Sequence, residues 1–245
     1  MEKFISISLV SKKVLNIAQM SSSLPVDVII LGQIGVGRKL LANEALPNGQ
    51  TFEAKELEKL ILENKINLKE YTSIIVYNID KVLNKNEFFD NLQGIKIVAT
   101  GFNENQDYIN RFAVKIEISP LTERKEDLEE LTKLYIKEAS KIYATLKIPK
   151  DIKIDLTNNG ITLKQSIYKS ILLQSMSKQE MIDTLYNFFL TELKSEHNYN
   201  TLLEIFEIPL LKASKKIYKS QLKMSEKLKI NRITLRKKLD KYFGE

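Results

Sequence analysis

VDVIILGQIGVGRKLLA, residues 26–42, carries the reading on which the fold rests. Val26 to Leu31 is an apolar run broken only by Asp27, the pattern of a strand buried on both faces. Gly32, Gly35 and Gly37 follow at the spacing of a phosphate-cradling loop, and Leu40-Leu41-Ala42 begins a helix. Strand, glycine loop and helix form the context such a loop needs. Its backbone N–H groups and the positive end of the helix then face an anion together. The lysine expected to reach the outer phosphates is Arg38, and the hydroxyl expected to help hold Mg²⁺ is Lys39.

Outward from this stretch the pattern repeats. Phe4 to Met20 reads as an amphipathic helix with Val10, Val14, Leu15 and Ala18 on one side. Apolar strands are expected at 73–78, 95–100 and 114–118, with helical segments between the strands, such as 54–63 ahead of the first of these. Strands alternating with helices argue a parallel α/β sheet. After Pro120 the character changes. Arg124 to Leu146 reads as a long helix with Leu128, Leu131, Tyr135, Ala139 and Ile142 inward. Residues 160–194 read as helical again, with Leu163, Ile167, Ile171 and Leu172 on one stripe, and 194–199 is the expected linker.

The tail, PLLKASKKIYKSQLKMSEKLKINRITLRKKLDKYFGE from Pro209, reads as a helix, a short second helix, a turn at Lys229-Ile230-Asn231 and a third helix. Asn231 suits the cap of the last helix. Leu235, Leu239 and Tyr242 recur at i, i+4, i+7 and make one apolar face; Ile233, Thr234, Arg236 and Lys237 point the other way, with Arg232 at the edge. A helix anchored on one face and carrying Arg and Thr towards base edges, and Lys towards phosphates, is what duplex DNA recognition requires. From Pro209 onward there are 12 Lys+Arg against 3 Asp+Glu, whereas residues 1–208 carry 26 and 28. The positive charge is therefore concentrated in one small module, as an electrostatic footprint on DNA should be.

The 245 residues allow two compact units, and 43% hydrophobic with 28% charged residues is an ordinary globular balance. No apolar run approaches the length of a membrane span, and MEKFISISLVSKK lacks the pattern of a secretory leader. A cytoplasmic protein is the expectation. Cysteine is absent and His197, in the polar stretch SEHNYN, is the lone histidine, so thiolate, zinc and haem chemistry are not expected.

IYKSQLKMSEKLKINRITLRKKLDKYFG resembles the DNA-binding end of Fis and the Fis-type domain that closes NtrC-type bacterial enhancer-binding proteins. The run Ile230-Asn231-Arg232, then Thr234-Leu235-Arg236-Lys237-Lys238-Leu239, carries the likeness, and Pro209-Leu210-Leu211 matches the opening of that domain's preceding helix. The resemblance implies that Asn231, Arg232 and Arg236 reach bases while Thr234, Lys237 and Lys238 hold the DNA backbone. It departs at Lys229, where a turn glycine is usual, and at Met224 and Ser225, where alanines are usual. SISLVSKKVLNIAQMSSSLPVDVIILGQIGVGRKLLANEAL resembles the opening of the NtrC-type AAA+ domain, and ISPLTERKEDLEEL its passage into the helical lid. The implied fold class is α/β: a P-loop AAA+-like parallel-sheet core over 1–121, a helical lid over 122–196, and an all-α Fis-type helix-turn-helix over 200–245. The resemblance also implies a bacterial, nucleoid-associated protein, and the expectation is that the family's preceding sensing domain is absent.

The match weakens where catalysis would lie. The family's second motif is an apolar strand ending Asp-Glu, for Mg²⁺ and for water. Here Ile74 to Tyr77 is followed by Asn78-Ile79-Asp80-Lys81. Nothing resembling the family's sigma-54 contact loop lies between Leu46 and Tyr71; Lys164 is a poor stand-in for the lid arginine, and Arg111 a displaced relic of the arginine finger. Two readings of GQIGVGRK stand side by side. In one, Gly32, Gly35, Gly37, Arg38 and Lys39 still bind ATP or ADP. In the other, the glycines serve only the tight turn. The expectation is a sequence-specific DNA-binding regulator whose core does not hydrolyse ATP, with double-stranded DNA as partner and a homodimer or higher oligomer as its state. The alternatives are a remodeller of a sigma-54 transcription complex and an adaptor for a full-length enhancer-binding relative.

Overall fold

The structure is a computed structural model that describes residues 3–102, 106–143, 151–195 and 197–244. The chain divides into two compact units, Met1–Ser175 and Met176–Glu245. In the first, helices α1 (Leu9–Ser22), α2 (Arg38–Ala45), α3 (Ala54–Leu62), α4 (Lys85–Asn91) and α5 (Gln106–Ile109) alternate with strands. The strands are β1 (Val28–Gly32), β2 (Gln50–Glu53), β3 (Ser73–Tyr77), β4 (Lys96–Gly101) and β5 (Val114–Ile118), and α6 (Lys125–Ile142) and α7 (Gly160–Ser175) complete the unit.

The five strands form one parallel sheet in the order β2-β3-β4-β1-β5. All five β1 residues are buried, because helices cover both faces of the sheet. Ile29 and Leu31 join one apolar cluster with Ile74, Val76, Ala99 and Phe88. Val28 and Ile30 join the other with Val14, Ala18, Leu41, Val98 and Ile116. Successive side chains thus enter opposite cores, and the strand shows no polar alternation. The interior position of β1, between β4 and the edge strand β5, delivers the glycine loop to the sheet's C-terminal edge with a strand on either side.

Several boundaries differ from the sequence reading for local reasons. Helix α1 starts at Leu9, not Phe4, because Ser8 caps it by accepting the Ser11 N–H. Its buried face is Ser11, Val14, Ala18 and Ser21, so Val10 faces solvent. Strand β2 had not been expected; Gln-Thr-Phe-Glu is short and partly exposed, and its edge position asks for no apolar run. Leu121, Ala139, Leu163, Ile167 and Ile171 form a third core between α6 and α7. Ile142 is 63% exposed and Leu172 is exposed as well, so neither belongs to it. The expected helix end at Leu146 lies outside the described residues, as does residue 196 of the expected linker.

The second unit comprises α8 (Lys178–Glu192), α9 (Tyr199–Tyr218), α10 (Gln221–Leu228) and α11 (Arg232–Phe243). The helical run expected over 160–194 breaks at Met176-Ser177, because Ser177 and Glu180 form a reciprocal capping box that starts α8. Pro209 does not open a helix. Asn198 caps α9 at Tyr199, and Pro209 lies inside it, where the missing N–H leaves one turn unbonded. Leu211, Met224, Leu235 and Leu239 form a small core, with Tyr218, Leu228, Ile230, Tyr242 and Phe243 packed against it.

Candidate functional site

The glycine loop joins β1 to α2. Gly37 sits at φ 106°, a left-handed angle, and offers no side chain to cap α2. The first-turn N–H groups are therefore left for an outside acceptor, and no acidic residue stands there. Gly35 is required more strictly: at φ +79°, a Cβ would lie 2.0 Å from the Asn158 carbonyl oxygen. Its own carbonyl accepts the Gly160 N–H at 3.0 Å, so the start of α7 is seated on the loop.

Two cavities flank this loop. One, of about 310 Å³, is largely apolar, walled by Phe4, Val36, Leu121, Arg124, Leu134 and Tyr135. The other, of about 690 Å³, is lined by Gly37, Arg38, Lys39, Asn78, Lys81 and Lys164 among others. Gly35, Gly37, Leu40, Tyr135 and Gly160 border both, so the two are adjacent. What separates them is the charge of the lining: Arg38, Lys39, Lys81 and Lys164 gather on the second.

Three of the four cations lining the cleft have internal partners. Arg38 Nη1 donates to the Gly101 carbonyl at 2.6 Å, and its guanidinium lies 4.1 Å over the Phe102 ring. Burial lowers its pKa, opposed by Asp80. Lys39 Nζ donates to Glu53 Oε1 at 2.5 Å, while Asn78 Nδ2 donates to Glu53 Oε2 at 2.8 Å. Burial pushes the Glu53 carboxyl up, but Lys39 and Asn78 outweigh it and hold it below the ordinary value. Lys164 pairs with Glu138 at 3.1 Å.

The acids of a metal site are placed for other work. Asp80 accepts the Phe102 N–H at 3.0 Å and the Tyr108 hydroxyl, and burial together with Asp80 raises the pKa of that phenol. Asn78 is left-handed, with φ 57°, and its N–H bonds Thr100 Oγ1 at 3.0 Å. Among the described residues no group of three His, Cys, Asp or Glu side chains converges as a metal site. Mg²⁺ on a bound phosphate needs oxygen ligands, usually a carboxylate or hydroxyl. Lys39 stands at the position of the hydroxyl, and the Asp80 carboxylate is engaged by Phe102 and Tyr108, so these residues do not fit the metal.

A buried ion pair closes the apolar chamber. Arg124 is 2% exposed, and its Nη2 donates to the Val36 carbonyl at 3.0 Å and its Nη1 to Ser11 Oγ at 3.2 Å. Asp127 lies 3.4 Å from Nη1 and accepts the Ile7 and Ser8 N–H groups at 2.6 and 2.8 Å, with hydroxyls of Ser8 and Ser11 besides. Burial pushes the Asp127 carboxyl up; the hydrogen bonds from Ser11, Ser8 and Ile7 outweigh it and hold it below the ordinary value. Arg124 Nε has no partner among the described residues. Glu126-Asp127 belonged to the quoted lid string, but nothing local in the sequence announced that Asp127 would anchor the N-terminal segment.

In the second unit the six residues singled out on the last helix part company. Arg232, Thr234, Arg236 and Lys237 are exposed, opposite the fully buried Leu235 and Leu239. Among the described residues, Arg232, Arg236 and Lys237 form no ion pair. Asn231 caps the helix: its side-chain oxygen accepts the Ile233 N–H at 2.8 Å, which leaves its amide N–H₂ to reach outward. Lys238 is half-buried, and its ammonium donates to Glu207, which also accepts the Tyr242 hydroxyl at 2.8 Å. Lys238, then Tyr242, holds the Glu207 carboxyl low against burial. Lys229, in place of a glycine, takes φ 52° at the turn. Met224 and Ser225 are both buried beside α11, and Ser225 Oγ bonds back to the Leu222 carbonyl.

Comparison with known proteins gives no matching family model and no matching curated protein. Solved structures do match. NtrX from Brucella abortus in complex with ATP aligns over 98% of this chain and 69% of its own, at 14% identity and a TM-score of 0.58. The same protein with ADP aligns over 98% and 68%, at 15% identity and 0.58. A further NtrX structure aligns over 97% and 68%, at 15% and 0.54. At such identity the likeness is one of fold. Together with the parallel sheet and its glycine loop, it gives this chain an α/β, P-loop AAA+-like fold.

Proposed function

We propose that this chain is a sequence-specific regulator that binds double-stranded DNA through α11, and that its AAA+-like core does not turn over ATP. The observation that carries the first half is the division of α11. Leu235 and Leu239 are buried, and Arg232, Thr234, Arg236 and Lys237 are exposed on the remaining face. Guanidinium groups on a helix of groove-filling width are the commonest specific readers of guanine. The flanking lysines add sequence-independent phosphate contacts. Pairing of two copies is part of the proposal. Helix α8 has no buried residue and exposes Met181, Ile182, Tyr186, Phe188 and Leu190, more apolar surface than solvent favours. Two α11 helices related by a two-fold would then read half-sites about one helical turn apart.

For the core, the two adjacent cavities and the uncapped α2 support retention of a nucleotide, and NtrX binds both ATP and ADP in its crystals. Hydrolysis lacks its residues: Lys81 follows Asp80 where a water-activating Glu is needed, and Asp80 is engaged by Phe102 and Tyr108. The test titrates the full chain onto genomic-fragment DNA at two salt concentrations, with phosphate release followed in parallel. Binding that weakens steeply with salt and selects a narrow set of fragments is expected, with no phosphate released. Salt-independent or absent binding would sink the DNA reading, and turnover would sink the silent-core reading.

A further inference from the structure

The charge layout of the phosphate cleft asks for a ligand other than a metal-loaded nucleotide. Lys39 occupies the position of the metal-holding hydroxyl, and Lys81 the position of the acid after Asp80. Both are exposed and both line the cleft of about 690 Å³, together with Arg38 and Lys164. Asp80 faces Phe102 and Tyr108. Two carboxylates are tied to the cleft's lysines: Glu53, held by Asn78 as well as Lys39, and Glu138, paired with Lys164. A divalent ion bridging two phosphates would meet the Lys39 ammonium where a hydroxyl ligand should stand, with a second ammonium, Lys81, on the same cleft.

We propose that this site takes its nucleotide without a divalent metal, with Lys39 and Lys81 supplying the counter-charge that Mg²⁺ otherwise brings. The inference rests on the reading of the core as a nucleotide binder. Free ATP carries two more negative charges than its magnesium complex, so a cleft of cations favours the uncomplexed anion. Lys39 is free to trade partners: its pair with Glu53 joins two half-exposed side chains, and such pairs are weak. Glu53 keeps Asn78 Nδ2 after the exchange. The α2 N–H groups, uncapped by Gly37, are further donors of the same site. A site built this way holds a nucleotide as a fixed part and does no chemistry on it.

Calorimetric titration of the full chain with sodium ATP, once in EDTA and once in millimolar Mg²⁺, tests this. The expected dissociation constant in EDTA is tighter than, or at most threefold weaker than, that in Mg²⁺. The double variant Lys39→Ala, Lys81→Ala should bind at least tenfold more weakly in EDTA. The double variant Lys39→Thr, Lys81→Glu should gain a Mg²⁺ requirement of at least tenfold. All four substitutions fall on exposed side chains, so folding is not at risk. A larger than threefold loss in EDTA, or wild-type binding by the alanine variant, overturns the metal-free proposal and leaves the nucleotide reading standing. No saturation in either buffer up to millimolar ATP removes the nucleotide reading itself.

Discussion

The cations around the glycine loop and those on α11 are the same residue types put to opposite ends. Arg38 is bonded to the Gly101 carbonyl, Lys39 to Glu53 and Arg124 to Asp127, each within its own unit. Arg232, Arg236 and Lys237 point into solvent without an ion pair among the described residues. A cation with an internal carboxylate or carbonyl contributes to the fold; one left unclaimed is available to a polyanion. Lys238 shows how fine the division is. It neighbours Lys237 in sequence, yet its ammonium is taken by Glu207.

The largest effect that can break this comparison lies in the front unit. Asp127→Asn keeps the shape but leaves the Arg124 guanidinium buried without its counter-charge. The front unit should lose about 3–5 kcal/mol, the usual result of breaking a buried pair from one side. Urea unfolding of the full chain, with hydrogen exchange read at residues 7–11, measures it; a loss under about 1 kcal/mol would mean the pair is not structural. The pH dependence has a definite sign. The folded Asp127 carboxyl is held below its ordinary value of 3.8, so its stabilisation is complete above that value and is lost as pH falls through the lowered one. The variant should show a flatter acid limb than the wild type.

The next effect sharpens the tail side. Arg236→Ala should cost about 1–3 kcal/mol on the preferred DNA sequence and much less on random DNA, if it makes a bidentate base contact. Lys237→Ala should weaken all sequences alike and reduce the salt slope by about 1. Lys238→Ala should leave DNA affinity nearly unchanged, because Glu207 holds its ammonium. Equal losses for Lys237→Ala and Lys238→Ala in a gel-shift series would show that DNA pulls Lys238 away from Glu207. Equal losses for Arg236→Ala on preferred and random DNA would remove its role in readout.

The smallest effect concerns the turn that aims α11. Lys229 pays the left-handed penalty that glycine avoids, and Lys229→Gly should stabilise the tail by about 0.5–1 kcal/mol in a thermal melt. A destabilised variant would mean that the lysine side chain contributes more than the backbone strain it bears.

Much of the fold was legible because its signals are local. The apolar runs of β1, β3, β4 and β5 mark strands in a covered sheet, and Asn231 and Leu235-Leu239 mark the cap and inner face of α11. Strand β2 was invisible because an edge strand with polar residues looks like a loop, and α9 was misread because Pro209 looks like a start. The sequence by itself determined that a glycine loop follows a buried strand, that a lysine stands where its metal-holding hydroxyl is expected, and that positive charge gathers in the tail. Only the tertiary structure decided which cations are already taken. Gly101 lies 63 residues from Arg38, and Ser8 lies 119 from Asp127. Partners so distant along the chain are chosen by how the helices stack on the sheet, and no spacing in the sequence records that choice.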